Sequence, residues 1–132
     1  MHFQKILLID DDADDQEIFE AALQSTSVSV EYQSVSSAEL ALDQLNAGEL
    51  RPDLIFLDLN MPVMDGRRFL AEIKKREALR PIPIVVFSTS SHPETITNVK
   101  KLGAAGFVTK PNSFDELVTI LDKVLAHGTA IL

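Results

Sequence analysis

Three observations predict an α/β fold with a doubly wound parallel sheet. Short apolar runs alternate with amphipathic stretches five times along 132 residues. The inner runs DLIFLDL (53–59) and IPIVVFS (82–88) are almost continuously apolar, as strands covered on both faces must be. Helix start and stop signals fall between the runs. Five β–α units in alternation imply parallel strands, right-handed crossovers and helices on both sides of the sheet.

The elements follow in order. KILLI (5–9) reads as the first strand, and Ile18, Phe19, Ala22 and Leu23 form the apolar stripe of the first helix. VSVEYQSV (28–35) alternates at Val28, Val30 and Tyr32, the pattern of a half-exposed edge strand. Ala38, Ala41, Leu42 and Leu45 keep the i, i+3, i+4, i+7 spacing of a second helix. After the third strand at 53–59, Phe69, Leu70 and Ile73 mark the third helix. The fourth strand at 82–88 precedes a helix marked by Ile96, Val99 and Leu102. AGFVT (105–109) is a weaker fifth strand, and Leu117, Ile120, Leu121 and Val124 mark the last helix. Ser36, Ser91 and Ser113 each precede a glutamate by three residues (Glu39, Glu94 and Glu116), the capping-box signature of a helix start. Gly48, Gly103 and Gly128 stand where helices stop. No linker, repeat or low-complexity tract interrupts this order, so residues 1–132 read as one domain.

Composition narrows the function. Apolar residues make up 45%, enough for a real core at this length. No window approaches a membrane span, and the run after Lys5 is too short for a signal-peptide core. Cysteine is absent, which excludes a disulfide scaffold and thiolate metal sites. These features favour the cytoplasm. A net charge of −8 disfavours nucleic acid as a partner, and the local pairs Arg67-Arg68, Lys74-Lys75-Arg76 and Lys100-Lys101 read as solvated helix faces.

In sheets of this type ligands bind at the carboxyl ends of the strands. The first strand delivers Asp10, Asp11 and Asp12 there, the third Asp58 and Asn60, the fourth Ser88, Thr89 and Ser90, and the fifth Thr109, Lys110 and Pro111. Taken singly, Asp11 or Asp12 fits a helix N-cap, Lys110 an ordinary surface lysine, and Ser88 a partner for backbone groups. Asp58 ends a wholly apolar strand and needs a partner. Convergence on one edge argues for a site. Three crowded carboxylates, Asp10, Asp11 and Asp58, call for a raised pKa or a cation. Oxygen ligands without cysteine or suitably spaced histidine point to Mg²⁺ or Mn²⁺. A metal, a lysine and a hydroxyl around one carboxylate make a site for phosphoryl transfer, with Asp58 as nucleophile and Lys110 and Ser88 stabilising charge.

The motifs LLIDDD (7–12), DLIFLDLNMPVMDG (53–66), IVVFSTSS (84–91) and GAAGFVTKP (103–111) resemble those of receiver domains of two-component response regulators. The resemblance spans about Lys5 to Leu125 and implies the flavodoxin-like (βα)5 fold, strand order 2-1-3-4-5. It implies Asp58 as phospho-acceptor, Asp11 as a direct metal ligand, Asp10 as one acting through water, and Asn60 as a backbone-carbonyl ligand. Ser88 matches the switch hydroxyl and Lys110 the invariant lysine. A cis peptide is implied at Lys110–Pro111. Phe107 takes the aromatic switch position, where an edge-strand core residue is the other reading. Asp12 is an extra acid, with a helix N-cap the plain assignment.

The expected function is therefore that of a single-domain response regulator. It is phosphorylated by a histidine kinase or phosphotransfer protein, passes its signal to another protein, and is not itself an enzyme. Homodimerisation through the last two helices and fifth strand is a further expectation, with two readings of the tail Ala130-Ile131-Leu132, as an extension of that contact or as a frayed end. An aspartyl-phosphate-forming phosphatase is one rival, weakened because Asn60 stands where such enzymes place a second aspartate. A flavodoxin-like or pseudo-receiver binding module is the other. The acidic first loop would repel a flavin phosphate, and no essential receiver residue is missing.

Overall fold

The computed structural model describes residues 3–90 and 92–129. Five strands, β1 (Lys5–Ile9), β2 (Glu31–Val35), β3 (Leu54–Leu57), β4 (Ile84–Ser88) and β5 (Gly106–Thr109), form one parallel sheet of order β2-β1-β3-β4-β5. Five helices alternate with them: α1 (Ala13–Gln24), α2 (Ala38–Asn46), α3 (Gly66–Lys74), α4 (Pro93–Lys101) and α5 (Phe114–His127). This is the doubly wound arrangement expected from the alternation of apolar runs.

Strand alternation sorts the core into two layers. Leu7, Ile9, Ile55, Leu57, Ile84 and Val86 point to one face, where they meet α2, α3 and Val99 of α4. Ile6, Leu8, Leu54, Phe56, Val85, Phe87 and Val108 point to the other, against α1 and α5. Phe19 of α1 anchors the second layer, with its ring 5.0 Å from Phe56 and 5.6 Å from Phe87, both edge-on. Strands buried on both faces cannot alternate in polarity, which is why β1, β3 and β4 read as unbroken apolar runs.

Several boundaries differ from the sequence reading. The second strand begins at Glu31 rather than Val28, and Val28 and Val30 pack on the α1–α5 layer from the loop before it. Ile18 lies outside the apolar stripe and is 49% exposed, because the face of α1 that meets the sheet is set by Phe19, Ala22 and Leu23. The N-cap of α2 is Ser37, not Ser36, with its hydroxyl accepting from the Leu40 amide. Ser113 caps α5 as expected, accepting from the Glu116 amide. The expected cap Ser91 and the tail Ala130-Ile131-Leu132 lie outside the described residues. His92 is the N-cap residue of α4, followed by Pro93, whose fixed φ and missing N–H suit a first helical turn. Gly48, Gly103 and Gly128 all carry positive φ at helix ends.

The Lys110–Pro111 peptide is trans, which corrects the expected cis bond. Trans is the lower-energy isomer of an X–Pro bond by about 0.5–1 kcal/mol. In this isomer the Lys110 ammonium still reaches the carboxylates at the strand ends.

Candidate functional site

The carboxyl ends of β1, β3, β4 and β5 meet at one rim of the sheet, and each places its side chains by a short local device. After β1, the Asp10 amide donates to Val35 O and extends the ladder by one residue. Asp12 caps α1, its carboxylate accepting from the amides of Asp14 (2.9 Å) and Asp15 (3.2 Å). The plain assignment of Asp12 therefore holds. Between them, Asp11 is exposed.

Asp58 continues β3, with its amide donating to Ile9 O at 2.9 Å. The turn that follows is tight. Gly66 opens α3 so close to the chain that an added Cβ would lie 2.6 Å from Asp58 O and 2.8 Å from Leu59 Cα. Glycine is required there by this approach. Asp65 caps α3 through the Arg68 amide. The Met64 amide donates to Pro62 O across Val63, which has φ 67° and is 87% exposed. A β-branched residue in that region is strained.

The rim brings together most of the residues singled out from the sequence. Asp10, Asp11 and Asp58 each offer an oxygen within 4.8 Å of the others. The Lys110 ammonium lies 3.0 Å from Asp10 Oδ2 and 3.8 Å from Asp58 Oδ1. The Lys110 amide donates to Ser88 O, and the buried Ser88 hydroxyl accepts from the Ser90 amide at 3.3 Å. The Asn60 amide donates to Asp58 Oδ1 over a long 3.4 Å. Phe107 lies opposite Val86 on β5, half-buried against the α2–α3–α4 layer, a position consistent with both of its readings.

Three further residues shape the rim. Asp15 accepts from Lys110 at 2.7 Å, from the first turn of α1. Gln16 donates to Asp10 O and to the Ser36 hydroxyl, bracing the loop after β1 against the loop after β2. The Phe87 ring lies under Lys110, 5.5 Å from centroid to Nζ. Phe87 was legible as the last apolar residue before Ser88. Asp15 and Gln16 carried no signal, since an acid and an amide in a first helical turn are common.

The electrostatics follow from burial. Asp58, 6% exposed, is pushed up to about 6, chiefly by desolvation and also by Asp10 and Asp11, while Lys110 pulls it down. Desolvation likewise raises Asp10, against the amide of Asp12 and the Lys110 ammonium. For Lys110 burial lowers the value, but hydrogen bonds from its ammonium to Asp15 and Asp10 outweigh it and hold the charged form.

The donor set fits a hard divalent cation. All three grouped ligands are carboxylates, one is solvent-facing, and the two buried ones carry more negative charge than Lys110 alone offsets. Such a cation would relieve the repulsion from Asp10 and Asp11 that adds to the desolvation raising Asp58.

A family model described as "Response regulator receiver domain" matches residues 6–122. The response regulator Rcp1 of Synechocystis sp. is 32% identical over 124 residues, covering 90% of this chain and 84% of its own length. The transcriptional regulatory protein ZraR of Escherichia coli K12 is 37% identical over 127 residues, covering 96% of this chain but 27% of its own length. The chain thus spans about a quarter of the length of ZraR. Among solved structures, the phosphorylated cyanobacterial phytochrome response regulator RcpA superposes with a TM-score of 0.84 at 34% identity, covering 96% of both chains. The Mn²⁺-bound form of Rcp1 gives 0.83 at 28% identity, covering 98% of this chain and 96% of its own.

Proposed function

This chain belongs to the receiver-domain family of two-component response regulators, and from that premise we propose that Asp58 accepts a phosphoryl group from a phosphohistidine on a kinase or phosphotransfer protein. One observation carries the assignment. Asp58 is the buried rim carboxylate whose own hydrogen bonding is weakest, an amide at 3.4 Å and an ammonium at 3.8 Å. Asp10 is occupied at 3.0 Å by both an amide and an ammonium, and Asp12 by two amides. An underused, partly desolvated carboxylate is the nucleophile the rim offers.

A carboxylate oxygen of Asp58 forms the new O–P bond as the N–P bond of the donor breaks. The electron pair goes to the imidazole nitrogen, which then takes a proton. Asp10, Asp11, Asp58 and the Asn60 carbonyl would hold Mg²⁺ or Mn²⁺, which supplies charge neutralisation at the phosphoryl oxygens. Lys110 sits beside Asp58 as a positive charge, and Ser88 supplies a hydroxyl at the end of β4. The product carries about −1.5 to −2 charge where one carboxylate stood, by analogy with other phosphorylated side chains. Ser88 and Lys110 shift toward it, and Phe107 follows through packing on β5.

On this reading the chain is a stoichiometric acceptor rather than a turnover enzyme. It works in the cytoplasm, and its signal passes to a downstream protein through the α4–β5–α5 face. That face is also the one through which a homodimer would form.

The test is incubation with acetyl phosphate and Mg²⁺ followed by intact mass. One phosphoryl group is expected on the wild type and none on Asp58→Asn. Undiminished labelling of Asp58→Asn would identify a different acceptor. Catalytic hydrolysis of a panel of phosphomonoesters would favour a phosphatase instead.

A further inference from the structure

The rim contains one acid that the acceptor reading leaves without a task. Among the described residues, Lys110 has three carboxylate partners, and its shortest contact is neither Asp58 nor Asp10. It is Asp15, at 2.7 Å, against 3.0 Å to Asp10 and 3.8 Å to Asp58. Asp15 belongs to the first turn of α1, and Lys110 follows β5, 95 residues on. We propose that Asp15 is a positioning residue that holds the Lys110 ammonium away from Asp58 and so restrains phosphoryl uptake. The inference rests on Asp58 being the acceptor.

An ammonium has three protons to give. Asp10 and Asp15 each take one at hydrogen-bond distance, and the Phe87 ring lies against the same group. At 3.8 Å the contact with Asp58 is an ion pair without a hydrogen bond. The third proton is free, but at 3.8 Å Nζ must move toward Asp58 to deliver it, and that movement stretches the bonds to its two existing partners. Asp10 is fully buried and also bound to the Asp12 amide. The Asp15 side chain is 34% exposed, so water can take over its hydrogen bonds when Lys110 leaves. Asp15 is therefore the partner that lets go, and releasing it adds a cost to the phosphoryl-transfer step.

Removing that anchor frees Lys110 to meet the charge that develops on the phosphoryl oxygens. The neighbouring Asp14 provides a charge-matched control. It is exposed, and its carboxylate makes none of the contacts to Lys110.

Wild type, Asp15→Asn and Asp14→Asn would each be incubated with acetyl phosphate over a range of concentrations at saturating Mg²⁺, with uptake followed by intact mass. Asp15→Asn is expected to raise the limiting rate about three- to tenfold. Its half-saturating acetyl phosphate concentration and its melting temperature should match the wild type. A change in the general field would move the half-saturating concentration instead, and would do so for Asp14→Asn as well. Equal or slower limiting rates in Asp15→Asn overturn the proposal, as does an equal rise in Asp14→Asn. A wild type that gains no phosphoryl group overturns the acceptor reading and this one with it.

Discussion

Replacing Asp58 by asparagine should make the metal-free protein more stable, although it removes the proposed acceptor. In the folded chain the Asp58 carboxyl holds its proton up to about pH 6, whereas its ordinary value is 3.8. The folded state therefore binds more protons than the unfolded state between those values, and stability falls as pH rises through them. Each unit is worth about 1.4 kcal/mol, so the penalty above pH 7 is at most roughly 3 kcal/mol. Asparagine keeps the shape and carries no charge. Lys110 is not orphaned by the change, since Asp10 and Asp15 remain within 3.0 Å. The expected gain is about 1–3 kcal/mol at pH 7.5, shrinking to nothing near pH 3.5. Urea denaturation followed by circular dichroism, in chelator and over that pH range, measures it directly. An Asp58→Asn protein no more stable than wild type at pH 7.5, or a gain independent of pH, would refute the claim that desolvation and acidic neighbours govern this residue.

Mg²⁺ should narrow that difference. At ten times its dissociation constant it adds about 1.4 kcal/mol to the wild type, seen as a rise of a few degrees in the melting temperature, and Asp11→Ala should abolish the rise. Gly66→Ala should cost about 1–3 kcal/mol in urea denaturation, because its Cβ meets backbone at 2.6 and 2.8 Å rather than a side chain that can swing aside. A Gly66→Ala protein as stable as wild type would show that the turn after Asp58 yields freely. Val63→Asn should gain about 0.5–1 kcal/mol by relieving a β-branched residue at φ 67°, since asparagine tolerates that region; an unchanged urea midpoint would argue that the strain is absent.

What the sequence made legible, and what it hid, divides along the range of the interactions. The strands were readable because burial on both faces leaves a local trace, an unbroken apolar run in LLI, LIFL and IVVF. The rim residues were readable because chain direction alone puts Asp10, Asp58, Ser88 and Lys110 at the same end of parallel strands. Features settled by competition between neighbours were not. Two adjacent serines precede α2, and either could cap it; Ser37 is the one whose hydroxyl accepts from a first-turn amide, that of Leu40. Ile18 is as apolar as Phe19, but a helix presents only one stripe to the sheet, and the phenyl ring takes it. The resemblance implied a cis peptide before Pro111, where the chain is trans.

The hardest part to read was which acid does what, because the answer lies in contacts across the whole chain. Asp10, Asp11, Asp12, Asp15 and Asp58 have the same functional group, yet the fold gives four of them different partners and leaves Asp11 facing solvent. Asp12 meets two amides of its own helix, a contact legible within three residues. Asp10 and Asp15 meet Lys110 at separations of 100 and 95 residues, legible only once the sheet is closed. Asp58 is distinguished by the strong partners it lacks, within hydrophobic surroundings that raise the cost of its charge. The fold bonds Asp10, Asp12 and Asp15 at hydrogen-bond distance, leaves Asp11 to solvent, and leaves buried Asp58 with only long contacts, a set that the proposed cation and phosphoryl group would complete. If Asp11, the most solvent-facing of the grouped ligands, proved irrelevant to cation uptake, that completion would have to come from Lys110 alone, and one ammonium shared among three carboxylates is too little charge to supply it.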